Sequence, residues 1–208
     1  MKQGACSRRR YGTSGVTARA PSMFKLIACV AILALPIAAW AFIKPVRVLA
    51  PELADVECRG KVCVDDPSRM AEATALYEEA LQFVWINVGE LQTLPRAIFC
   101  SAPACSKAFG FTSADAYNFG TTAVVISHRG WKPYFVRHEL IHHLQNEHLG
   151  SLRTRLFKPI WFREGMAYSL SQDPRRPLPE PLQSYRSQFE AWFKRVGSSR
   201  LWSEAELL

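Results

Sequence analysis

Residues 133–150 read PYFVRHELIHHLQNEHLG, and the reading of this stretch decides both fold and chemistry. Pro133 suits a first helical position and Gly150 a helix stop, so one helix is predicted between them. Inside it lies His138-Glu139-Leu140-Ile141-His142, an H-E-x-x-H segment. Spacing of four stacks His138 and His142 on one face, where two imidazoles can bind one Zn²⁺. Glu139, next to the first ligand, can reach a water on that metal without binding the metal itself. All five histidines of the chain, His128, His138, His142, His143 and His148, fall within 21 residues, which dispersed core histidines would not do. His143 and His148 read as polar-face residues or as supports behind the ligands.

A catalytic zinc needs a third protein ligand and an open position. His148 stands six residues after His142, the spacing of a metzincin's third histidine, but Gln145 occupies the place where that pattern needs a chain-turning glycine. Glu164, in Trp161-Phe162-Arg163-Glu164-Gly165-Met166-Ala167-Tyr168, follows His142 by 22 residues, enough for a loop and a returning helix. On that helix Phe162, Met166 and Leu170 form an apolar stripe and Glu164 and Tyr168 another, so Glu164 is the stronger candidate. Gly165 costs a helix interior about 1 kcal/mol, and close approach to the H-E-x-x-H helix would account for it.

Outward from this core the chain reads as one α+β domain over residues 44–208. Thr121–His128, TTAVVISH, is the best strand, and Leu94–Cys100 is a second. Pro45–Ala54 could supply a first strand, and residues 57–66 a cysteine-pinned turn. A helix is predicted from Pro67 to Val88, burying Met70, Ala73, Tyr77, Leu81, Val84 and Val88, with a short turn or helix over Ser106–Phe111. Helices over Pro159–Gln172 and Leu182–Val196 flank the Pro-rich bend RRPLPEP. Cys58, Cys63, Cys100 and Cys105 form two closely spaced pairs. Bridges Cys58–Cys63 and Cys100–Cys105 are the economical reading, a four-thiolate zinc site the alternative, and long-range pairing stays open.

The formal charge of +8 belongs mainly to the N-terminus. Residues 1–25 hold six of the 26 Lys and Arg and no acid, leaving 20 basic against 18 acidic residues from Leu26 onward. Leu26–Ile43 is an uncharged apolar run of 18 residues, at the lower limit for a membrane span. With a basic region before it, the domain is expected outside the cytoplasm, either anchored through residues 26–43 or secreted after cleavage near Ala41. Met23 offers an alternative start. Nucleic acid is not expected as a partner, because the positive excess would lie on the wrong side of the membrane. Oligomeric state is not assigned by these residues.

H-E-x-x-H followed at this distance by W-F-x-E-G-x-A resembles the gluzincin branch of zinc metallopeptidases, specifically short peptidase-MA-like proteins, over about residues 118–172. The resemblance implies a small zincin-like domain with a short mixed sheet, an active-site helix and a second ligand helix. It implies one Zn²⁺ held by His138, His142 and Glu164, with Glu139 as general base in the hydrolysis of a peptide or protein substrate. It further implies that strand Thr121–His128 is the edge against which substrate backbone lies. Tyr168 departs from the larger thermolysin-like enzymes, which carry at that position an acid that orients a histidine. Tyr168, His128, Tyr134 and Tyr185 are candidates for stabilising an oxyanion or supporting the ligands. The competing expectation is a membrane-tethered, non-catalytic binding module with a vestigial or structural metal site.

Overall fold

In the computed structural model of the protein, which describes residues 23–208, side-chain alternation along three short strands sets the core. The sheet has five strands, β1 (Glu57–Arg59), β2 (Val62–Val64), β3 (Arg96–Phe99), β4 (Ala116–Phe119) and β5 (Ala123–Ile126), in the order β1-β2-β3-β5-β4, and the three that set the core are β2, β3 and β5. The pairs β2–β3 and β3–β5 are parallel, and the outer pairs β1–β2 and β5–β4 antiparallel. Because successive side chains point to opposite faces, Val62, Val64, Ala97, Phe99, Val124 and Ile126 enter one apolar cluster with the helices. Cys63, Ile98, Ala123 and Val125 enter a second, with Val48, Val56 and Phe109, on the other face. The molecule is thus α+β with a mixed sheet.

The helices are α1 (Met23–Phe42), α2 (Met70–Asn87), α3 (Pro103–Ala108), α4 (Pro133–Leu149), α5 (Ser151–Phe157), α6 (Ile160–Leu170), α7 (Leu182–Val196) and α8 (Leu201–Leu207). The chain divides after Ala38 into two compact units, and the second, Ala39–Leu208, carries every strand. Positions 1–22 of the basic region expected over residues 1–25 lie outside the described residues. Among the described residues no helix is long and apolar enough to cross a membrane, so the anchor expected over residues 26–43 gains no structural support.

Three expectations are corrected. Pro45–Ala54 forms two 3-10 turns, Lys44–Leu49 and Pro51–Ala54, because Pro45 and Pro51 fix φ and remove ladder donors at their starts. Strand Thr121–His128 shortens to β5 and is central, not an edge: β3 and β4 flank it and all four of its residues are buried. The edge on that side is β4, whose end is separated from the start of β5 by three residues. Finally, Gly165 allows close approach, but to α7 rather than to α4. A Cβ there would stand 2.2 Å from the Tyr185 carbonyl oxygen and 2.7 Å from Phe189 Cβ. Gly165→Ala is therefore expected to cost about 3 kcal/mol or more by forcing the two helices apart, as a lowered urea midpoint would show.

Both economical bridges are present. Cys58–Cys63 joins directly opposed residues of the β1–β2 hairpin, and Cys100–Cys105 ties the end of β3 to α3. With their sulfurs so engaged, these cysteines form no thiolate zinc site.

The loop before β3 is fastened to α4 by Glu147. Its carboxylate accepts from the Gln92 N–H at 2.9 Å, the Thr93 N–H at 2.7 Å and the Thr93 hydroxyl at 2.6 Å. Fully buried His143 meets the same carboxylate at 3.0 Å through Nε2. Burial opposes this charge, but the Thr93 and Gln92 donors outweigh it and hold the Glu147 pKa below its ordinary 4.5. Such a carboxylate contributes stability that is present above its unfolded pKa and is lost as pH falls through the folded one. Glu147→Gln, whose amide offers one acceptor oxygen where two are used, is expected to cost about 1–3 kcal/mol at neutral pH. It should also flatten the decline in stability below pH 4.5, which urea unfolding at graded pH would read.

Candidate metal centre

α4 and α6 bring three donors to one point. Spacing of four on α4 places His138 Nε2 and His142 Nε2 3.1 Å apart, with Glu164 Oε2 of α6 at 3.7 and 3.6 Å from them. All three ligand atoms lie within 4.8 Å of one another. Donors about 2.0–2.1 Å from a tetrahedral zinc stand about 3.3 Å apart, so these separations fit that ion. Two imidazoles and one carboxylate also match a catalytic rather than a structural zinc set. His138, His142 and Glu164 therefore form a candidate metal-binding group.

The electrostatics of the group favour positive charge beside Glu164. Burial disfavours the Glu164 charge, but His142 and His138 outweigh it and hold this carboxyl well below the usual carboxylate range. Burial likewise opposes protonation of His142, yet Glu164 pushes its pKa up to about 9. The Gln145 Oε1 lies 2.9 Å from His142 Nδ1, and Gln145 Nε2 donates to the Arg163 carbonyl at 3.0 Å. One buried amide thus fixes the His142 ring, leaving Nε2 turned to His138 and Glu164, and ties α4 to α6 beside the Glu164 carboxylate.

The group opens into a cleft of about 1000 Å³ lined by β4, α4, α5 and α6. Glu139 lines it, is 6% exposed, and accepts no hydrogen bond through its carboxylate among the described residues. Burial pushes its pKa up, with His138 and His142 opposing. Asn118 of β4 donates to the Glu139 carbonyl at 3.3 Å and accepts from Asn146 Nδ2 at 3.0 Å, holding the edge strand against α4.

Of the four oxyanion candidates, Tyr168 lines the cleft, its ring edge-on to His138 at 4.5 Å. Burial pushes the Tyr168 hydroxyl up to about 12, so it stays a donor at neutral pH. His128, Tyr134 and Tyr185 do not line the cleft. His148 stacks on Trp202 at 3.9 Å, away from the donors, because α4 stays helical to Leu149 and turns that ring to another face. Gln145, Asn118, Arg163 and Arg175 were not singled out by sequence as site residues. For Gln145 a signal existed, since it sits three residues after His142, on the same helix face. Comparisons with known protein families, with curated proteins and with solved structures find no match to this chain.

Proposed function

We propose that the protein is a zinc-dependent, gluzincin-like metallopeptidase with a zincin-like fold, hydrolysing peptide bonds outside the cytoplasm. The observation that carries this reading is the convergence of His138, His142 and Glu164 beside a buried Glu139, whose carboxylate has no hydrogen-bond partner among the described residues, in a cleft rimmed by an edge strand. A structural metal site has no use for that second carboxylate, which disfavours the binding-module alternative. A zinc held there supplies Lewis-acid chemistry, polarising a carbonyl and acidifying water.

The chain's own residues do the rest. A substrate backbone pairs with the free side of β4, Ala116–Phe119, which lies along the cleft and has no strand outside it among the described residues. Glu139 takes a proton from the attacking water and returns it to the leaving amine. Tyr168 donates its hydroxyl to the oxygen on which charge develops. Export is supported by the two disulfides, which form and persist in oxidising compartments. The basic residues 1–25 and the apolar run 26–43 support passage through the membrane as anchor or cleaved leader.

The test is incubation of the full chain in mild detergent with a degenerate peptide library, read by mass spectrometry. Cleavage is expected with one equivalent of zinc, lost on chelation and restored by zinc. A zinc-loaded chain that leaves the library intact would overturn the reading.

A further inference from the structure

The arginines of the cleft divide into two kinds. Arg175 is closed off by Asp173, which it meets through its Nε at 3.0 Å and in a shorter Nη2 contact. Arg155 of α5 and Arg163 of α6 also line the cleft, yet their guanidinium groups meet neither a carboxylate nor a carbonyl among the described residues. Every other described arginine meets one or the other. The Nε of Arg163 is buried without an acceptor among the described residues, so the free energy lost on its desolvation is not recovered within the fold. Its backbone is held in place by the Gln145 amide. The three acids of the cleft leave these arginines unanswered: Glu164 faces the histidines, Asp115 is taken by Arg129 at 2.8 Å, and the Glu139 carboxylate meets neither guanidinium among the described residues.

Building on the peptidase reading, we infer that Arg155 and Arg163 form a carboxylate-binding subsite, so that the enzyme prefers peptides bearing a carboxylate a short distance from the scissile bond. Planar guanidinium groups pair with carboxylates through two parallel hydrogen bonds, and of the two arginines Arg163 is half-buried, which strengthens its pairing, while Arg155 is exposed. The carboxylate is either the peptide's C-terminus, giving trimming from that end, or an Asp or Glu side chain, giving cleavage inside acidic segments. Both present the same chemistry to the subsite.

Three peptide sets share one degenerate neutral sequence: amidated at the C-terminus, free at the C-terminus, or amidated with Glu placed at successive positions. The zinc-loaded full chain is expected to show a kcat/KM roughly 10–100-fold higher on the second or the third set than on the first, and which set gains identifies the carboxylate. That preference should fall toward one in the Arg155→Gln/Arg163→Gln double variant and partly return in Arg155→Gln/Arg163→Lys, with zinc content confirming that the site stays assembled. A parent without preference, or a preference that survives the double substitution, overturns the inference. If the parent cleaves none of the sets, the peptidase reading fails. The subsite is then read separately by calorimetry of the same peptides on Glu139→Gln, where equal affinities for all three sets overturn it.

Discussion

Glu139→Gln is expected to leave zinc binding intact and to lower kcat on library peptides by roughly 10²–10⁴-fold. The substitution preserves side-chain volume and exchanges a proton acceptor for an amide. Among the described residues the Glu139 carboxylate accepts no hydrogen bond, and it is not among the three converging donors, so its loss disturbs neither ligand geometry nor packing. Burial raises its pKa, meaning that the folded chain carries its charge at a cost, and the neutral amide should melt no lower than the parent. Zinc analysis, thermal unfolding and turnover on one preparation separate these effects. A variant that keeps its zinc and fold yet cleaves at the parental rate would remove Glu139 from the chemistry.

Glu164→Ala is expected to weaken zinc binding by at least about 10²-fold, above the loss from deleting a supporting hydrogen bond behind a ligand. The carboxylate is the one anionic donor among the three and faces both imidazoles at 3.6–3.7 Å. Without it two neutral rings remain on one helix. His148→Ala, which removes a ring stacked on Trp202, should retain parental zinc affinity and lose only packing. Competition titration with a chromogenic chelator measures both. The reverse pattern would favour the metzincin-like ligand set.

What sequence made legible followed from strong local periodicity. The limits of α4 agree with Pro133 and Gly150, and α7 spans Leu182–Val196 as its amphipathic pattern requires. Spacing of four put His138 over His142, and the two stripes of α6 put Glu164 and Tyr168 on its cleft side and Phe162 and Met166 in the core. Placement across the sheet was harder. The edge strand β4 is four residues long and contains Asn118, so it carries little strand signal, while the resemblance directed the edge role to β5. Ala123-Val124-Val125-Ile126 did hold a warning: an unbroken apolar run suits a strand buried on both faces. Gly165 signalled close packing, but a glycine does not name its partner, and the backbone of α7 is 20 residues away in sequence. The cleft arginines were invisible for a similar reason. Arg155 and Arg163 look like any surface cations until the ion pairs of all the others are mapped.

The most direct test of the metal centre is zinc X-ray absorption on the full chain loaded with one equivalent of zinc. A first shell of nitrogen and oxygen alone is predicted, at about 2.0–2.2 Å, with two imidazoles, and it should disappear in Glu164→Ala or collapse to loosely held solvent. Sulfur scatterers near about 2.3 Å, or a parental shell without imidazole, would contradict the centre built from His138, His142 and Glu164.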